Sequence, residues 1–151
     1  MKRILLFRRR VGQAGQLKKI GILLADDHPH FPQFVGSMLG ADFEVLGSVS
    51  DGQALVEAAL RLAPDLIITD ISMPILNGIE AVEQLRKAGC TAKIIFLTVH
   101  TGADFVRTCL DSGATGYVVK PRAANELLRA IRSVIAGDTF VSPQAGIDIA
   151  G

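Results

Sequence analysis

Five short runs in this chain are apolar at nearly every position: residues 20–24, 45–49, 66–69, 94–97 and 116–119. A strand with one wet face alternates apolar and polar side chains. A strand buried on both faces does not, and such strands belong to parallel sheets covered by helices on either side. The second run is the weakest, because Gly47 interrupts it. Between the runs lie amphipathic stretches. Ala54, Leu55, Ala58, Ala59 and Leu62 recur at spacings of three and four, so the spacing predicts a helix over 53–62, with Ser50 or Asp51 to cap it and Pro64 beyond its end. Ile79, Val82 and Leu85 mark another, closed by Gly89; Phe105, Val106, Cys109 and Leu110 mark a third, closed by Gly113. Leu127, Leu128, Ile131, Val134 and Ile135 give the most apolar stripe, on a helix expected over 123–136 and stopped at Gly137-Asp138. Residues 31–39 complete the set, Pro32 suiting a first turn. Strict alternation of five strands and five helices means βαβ units with right-handed crossovers, an α/β doubly wound sheet.

Chemistry collects where these strands end. Asp26-Asp27 follow the first, Asp70 the third, Thr98 the fourth, and Lys120-Pro121 the fifth. Parallel strands point one way, so the endings converge on one edge of the sheet, where ligands of open α/β folds bind. With strands one and three adjacent at the point where strand order reverses, Asp26, Asp27 and Asp70 crowd together. Three such carboxylates repel one another unless a cation holds them. A hard divalent ion with oxygen ligands fits, and Mg²⁺, which keeps its waters, suits a site that receives a phosphate. A carboxylate beside it can attack phosphorus, while Lys120 and the Thr98 hydroxyl contact the transferred oxygens. Each residue alone has an ordinary explanation as a cap, a strand end or a solvated cation. Their joint placement at successive strand ends does not.

Four motifs carry a family resemblance: residues 23–28 (LLADDH), residues 66–78 (LIITDISMPILNG), Leu97-Thr98, and Val119-Lys120-Pro121, kept in order and spacing over about residues 20–137. In these the chain resembles the receiver domain of two-component response regulators. The resemblance implies a (βα)5 flavodoxin-like receiver fold with a parallel five-stranded sheet of order 2-1-3-4-5. It implies that Asp70 is the phosphoacceptor, that Asp27 binds Mg²⁺ directly and Asp26 mainly through water, and that the Ser72 backbone carbonyl completes the protein ligands. Thr98 becomes the switch hydroxyl, Lys120 the partner of the phosphate, and Tyr117 the aromatic that turns inward as Thr98 moves. The Lys120–Pro121 bond is expected to be cis, which an X-Pro bond permits. The donor is expected to be a sensor histidine kinase or phosphotransfer protein, and pairing of two copies through the fourth and fifth helices is a possibility the family offers. Ser72 and His100, two residues beyond Asp70 and Thr98, stand where side chains of this family tune hydrolysis of the phosphate.

The Asp-Asp-His start, the Asn77-Gly78 turn and the ending at residues 130–137 followed by Ser142-Pro143 are similar to the subfamily that carries a LuxR-type helix-turn-helix domain. The chain then reads either as a free-standing receiver or as the receiver fragment of a DNA-binding transcription regulator. A small Mg²⁺-dependent phosphohydrolase using the same aspartates is a further alternative, weakened because position 72 is Ser, not a general acid.

Composition bounds the rest. Hydrophobic residues make up 49% and charged residues 21%, enough apolar surface for a core, and no apolar run approaches the roughly 18–20 residues that span a bilayer. Residues 1–19 hold seven cations and no acid, while the other 132 residues hold nine basic and fifteen acidic side chains. The expected layout is a basic flexible leader (1–19), a receiver (20–137) and a linker-like tail (138–151). The leader reads more simply as a solvated tail than as an arm for nucleic acid or lipid, so neither is expected as a direct partner. Cys90 and Cys109, without a C-x-x-C, fit a reducing cytoplasm and serve as packing or surface thiols. His28, His30 and His100 are assigned structural or rim roles, since zinc-like spacing is lacking and imidazole is a poor ligand for Mg²⁺.

Overall fold

The computed structural model describes residues 19–146. All but the last residue of the basic leader therefore lies outside the described residues, as do residues 147–151. The strands are β1 (Ile20–Ala25), β2 (Phe43–Val49), β3 (Leu66–Thr69), β4 (Lys93–Thr98), β5 (Gly116–Val119) and β6 (Phe140–Val141). The helices are α1 (Phe31–Met38), α2 (Gly52–Leu62), α3 (Gly78–Lys87), α4 (Ala103–Asp111) and α5 (Ala123–Ile135). One parallel sheet has the order β2-β1-β3-β4-β5-β6.

The five expected strands stand in the expected order, and a sixth is added at the β5 edge. The expectation of five strands is corrected here. Two residues are too few to produce a periodic signal, and β6 exists because β5 offers it an open ladder: Gly116 pairs with Phe140 and Tyr117 with Val141. Ordered structure thus continues past residue 137.

Alternate strand residues feed two cores. Leu23, Ile67, Ile94, Phe96, Tyr117 and Val119 face α2, α3 and α4, meeting Leu55, Val82, Leu85, Val106 and Cys109. Ile22, Leu24, Ile68, Ile95, Leu97 and Val118 face α1 and α5, meeting Phe31, Val35, Leu127, Ile131 and Val134. This two-sided burial is what the apolar runs required. β2 lies on the outer edge and is only partly buried, in keeping with its broken run.

Local signals behave as their chemistry demands. The Asp51 side chain accepts from the Ala54 N–H at 2.7 Å and caps α2, and Ala63 ends that helix in a left-handed conformation just before Pro64. No peptide bond among the described residues is cis, so the expectation for Lys120–Pro121 is corrected. Pro121 instead opens a 3₁₀ turn over Lys120–Arg122 that leads into α5, where its fixed φ and missing N–H suit a helical first turn. Among the described residues no helix is long and apolar enough to cross a membrane.

Candidate functional site

The site lies on the edge of the sheet where all strands finish. Asp26 follows β1, its N–H bonded to the Val49 carbonyl at 3.0 Å, and Asp70 follows β3, its N–H bonded to the Ala25 carbonyl at 2.9 Å. Both carboxylates are buried, Asp26 3% and Asp70 4% exposed, while Asp27 is exposed. Ligand atoms of Asp26, Asp27, His28 and Asp70 all lie within 4.8 Å of one another. The three carboxylates expected to crowd together therefore do so.

Lys120 reaches into this cluster from the end of β5. Its Nζ lies 2.7 Å from Asp26 Oδ2 and 2.9 Å from Asp70 Oδ2. Burial by itself lowers the pKa of this ammonium; the hydrogen bonds and negative charges of Asp26 and Asp70 outweigh it, so the net displacement is upward and Lys120 is cationic. Asp26 Oδ2 has the Lys120 ammonium beside it and, among the described residues, no further donor. One ammonium against three carboxylates leaves two negative charges, which a divalent cation neutralises. The donor set, all oxygen but for one imidazole, fits a hard cation such as Mg²⁺.

The backbone around Asp70 leaves no slack. Gly78 N–H donates to the Ile71 carbonyl at 2.7 Å, and a Cβ on Gly78 would stand 2.0 Å from the Asp70 carbonyl oxygen. The Asn77 side chain accepts from the Glu80 N–H at 2.8 Å while Glu80 Oε1 accepts from the Asn77 N–H at 3.1 Å, a reciprocal cap that starts α3. Asp70 Oδ1 accepts from the Ile71 N–H at 2.6 Å, which holds one carboxylate oxygen while Oδ2 meets Lys120.

On the other flank stand Thr98 and Tyr117. Thr98 is fully buried, and its Oγ1 accepts from the His100 N–H at 3.3 Å. Tyr117 is also fully buried, its hydroxyl donating to the His100 carbonyl at 2.9 Å. It is already turned inward. Burial, followed by the charges of Cys109 and Asp70, raises its pKa above the ordinary phenol value.

Sequence reasoning left two features unresolved. His28 is exposed at the rim, and its Nδ1 sits 2.6 Å from Asp26 Oδ1 and 3.6 Å from Asp27 Oδ1. Its place directly after the two acids was the available signal. His100 is a node that spacing did not reveal: its Nε2 lies 2.8 Å from Ser72 Oγ and its ring stacks on Phe105 with centroids 4.4 Å apart.

The family model for the response regulator receiver domain matches residues 22–132. The chain is a response-regulator receiver. It is 36% identical over 123 residues to the nitrate/nitrite response regulator NarL of Escherichia coli, covering 80% of this chain and 57% of that protein. It is 36% identical over 132 residues to the transcriptional regulatory protein DesR of Bacillus subtilis, covering 86% of this chain and 65% of the other. A LuxR-family two-component response regulator from Aurantimonas sp. superposes with a TM-score of 0.78 at 29% identity, covering 83% of this chain and 91% of that one. The receiver spans less than two thirds of the length of these curated relatives. Receivers of this family accept a phosphoryl group from histidine kinases in two-component signalling, and this one is similar to the receivers of NarL and of a LuxR-family regulator.

Proposed function

We propose that Asp70 is the phosphoacceptor and that Asp26, Asp27, Asp70 and the Ser72 carbonyl hold Mg²⁺ in the receiver body over residues 20–137, acting in the cytoplasm. The observation that carries this reading is the single ammonium of Lys120 shared between two buried carboxylates, with a third, that of Asp27, in the same cluster. Bound there, Mg²⁺ supplies charge neutralisation at the oxygens of the transferring phosphoryl group. A carboxylate oxygen of Asp70 attacks the phosphorus of a phosphohistidine on the kinase or phosphotransfer protein. The O–P bond forms as the P–N bond breaks, and the electron pair stays on the donor's imidazole. Lys120 is close enough to follow the new phosphoryl oxygens as a compact cation, and the Thr98 hydroxyl donates a hydrogen bond to them. The open cleft of about 230 Å³ lined by His28, His30, Phe31, Phe34, Leu97 and Lys120 gives a donor side chain a route to this edge.

Acetyl phosphate and Mg²⁺ test the assignment without the kinase. Intact-mass measurement should find one phosphoryl group on the protein and none on Asp70→Asn. A folded protein that stays unmodified, or an Asp70→Asn variant labelled as fully as its parent, overturns it.

A further inference from the structure

The pairing of β5 with β6 ends at Tyr117 and Val141, one donor short of the end of β5. That donor, the buried Val119 N–H, is met by a side chain: Ser142 Oγ accepts from it at 3.1 Å. A hydroxyl has one proton to give, and this one goes to Oε1 of Glu126 on α5. Ser142 is completely buried and Glu126 is buried with it. The other carboxylate oxygen, Oε2, lies 3.6 Å from Nε of Arg122, a buried nitrogen with no hydrogen bond among the described residues. One carboxylate therefore anchors two residues, Val119 through the Ser142 hydroxyl and Arg122 directly.

Lys120 stands between those anchors. It opens the 3₁₀ turn over Lys120–Arg122, its carbonyl accepts from the Ala123 N–H, and Pro121 beside it has no N–H with which to hold the turn. From this turn its side chain reaches far. β4 separates β5 from β3, and β4 and β3 separate it from β1, about 10 and 14 Å of sheet at about 4.8 Å per strand. Its Nζ nevertheless stands 2.9 Å from Asp70 Oδ2 and 2.7 Å from Asp26 Oδ2. A four-carbon stem laid across such a span has little slack, so a shift of the turn is passed on to the ammonium.

We propose that Ser142 and Glu126 are positioning residues for phosphoryl transfer to Asp70: they clamp the turn on either side of Lys120 and so set its ammonium against the acceptor carboxylate. This rests on the reading of Asp70 and Lys120 given above. Both residues bond to the turn and not to the acidic cluster, so their influence on the reaction passes through Lys120.

Acetyl phosphate labelling at saturating Mg²⁺, timed by intact mass well below the melting temperature of each variant, tests this. Ser142→Ala removes the hydroxyl and should slow labelling about tenfold, part of the roughly hundredfold that a misplacement of about 1 Å can cost. In Lys120→Met there is no ammonium left to place, so Ser142→Ala added to it should slow labelling no further. A loss of the same factor in both backgrounds, or a parental rate in folded Ser142→Ala, overturns the positioning role and leaves Asp70 standing as the acceptor. A parent that takes no label overturns both. Should Ser142→Ala not fold, Glu126→Gln, which keeps an oxygen for the Ser142 hydroxyl but drops the charge facing Arg122, goes through the same two backgrounds. There a loss of about threefold, confined to the chain that retains Lys120, is expected; an equal loss in both, or none, overturns the proposal.

Discussion

The two loops that flank the acidic cluster are built on opposite principles. The β3–α3 loop, which follows Asp70, is fixed from several sides: the Gly78 contact with the Asp70 carbonyl, the Asn77–Glu80 cap, and Gly52, where a Cβ would stand 2.0 Å from the Leu76 carbonyl oxygen. The β4–α4 loop, which follows Thr98, has a 3.3 Å hydrogen bond at its start, a 63% exposed Val99, and a helix that begins at Gly102 with no side-chain cap. One loop presents charge at a place fixed by backbone packing; the other is held by single hydrogen bonds, through His100 to Tyr117 and Ser72 and through Gly102 to Ala145, which can be exchanged once that charge changes. Strength of attachment, more than distance from Asp70, separates the part that reacts from the part that responds.

The most damaging way to break this contrast is at the rigid loop. Gly78→Ala drives a methyl group into a backbone oxygen that cannot move without displacing Asp70, and overpacking of this kind costs about 3 kcal/mol. Denaturant unfolding should register that loss, and acetyl phosphate labelling of the folded fraction should fall with it. A variant of parental stability would mean the loop is far softer than its packing indicates.

Alkaline pH attacks the responsive side instead. Burial pushes the Cys109 thiol up from 9.0 to about 12, and the Tyr117 phenol is displaced in the same direction. The folded state holds both protons more tightly than the unfolded state does. Their stabilisation is complete below the unfolded values and is lost as pH rises toward the folded ones, with a slope of about 1.4 kcal/mol per pH unit for each group. Between pH 9 and 10.5 the Cys109 contribution alone removes about 2 kcal/mol. Cys109→Ala should flatten the decline in chemical-denaturation curves taken across that range. An unchanged slope would place the alkaline sensitivity elsewhere.

Lys120→Met sharpens the contrast by removing the cation that the fixed carboxylates share. Breaking a fully buried pair costs several kcal/mol, but this side chain is 20% exposed at an open edge, so screening reduces the expected loss to about 1–2 kcal/mol. Millimolar Mg²⁺ should restore more stability to the variant than it adds to the parent, read as a thermal shift. Equal shifts would mean that lysine and metal do not answer the same charges.

Much of this arrangement was legible in the sequence, for a physical reason. Strands buried on both faces must be apolar throughout, so β1, β3, β4 and β5 announced themselves, and parallel strands must bring their ends together, so Asp26, Asp27, Asp70, Thr98 and Lys120 could be gathered without coordinates. β6 could not be read, because two residues carry no period and its formation depends on an edge presented by β5, twenty residues upstream. His100 escaped for a similar reason. Its contacts with Ser72, Phe105 and Tyr117 join three separate segments, and spacing along the chain encodes none of them.

The smallest expected effect returns to the rigid loop, at Ile75. This side chain is 80% exposed, and its backbone has φ 73. The Leu76 N–H donates to the Pro74 carbonyl at 2.8 Å, so Ile75 is the central residue of a three-residue turn in its strained, positive-φ form. A β-branched residue is badly suited to that region, because its Cβ crowds the following carbonyl at a cost of about 1–2 kcal/mol. Glycine escapes the clash but loses more chain entropy on folding, which returns part of the gain. Ile75→Gly should therefore stabilise the protein by about 0.5–1 kcal/mol, a rise of about 2–4 °C in melting temperature. Acetyl phosphate labelling should be unchanged, since the turn is held through its backbone and the isoleucine side chain points to solvent. A lower melting temperature would show that the isoleucine, strained as it is, holds the loop in place through contacts stronger than its exposure allows, and the rigidity of this side of the site would then owe less to Gly78 and the α3 cap.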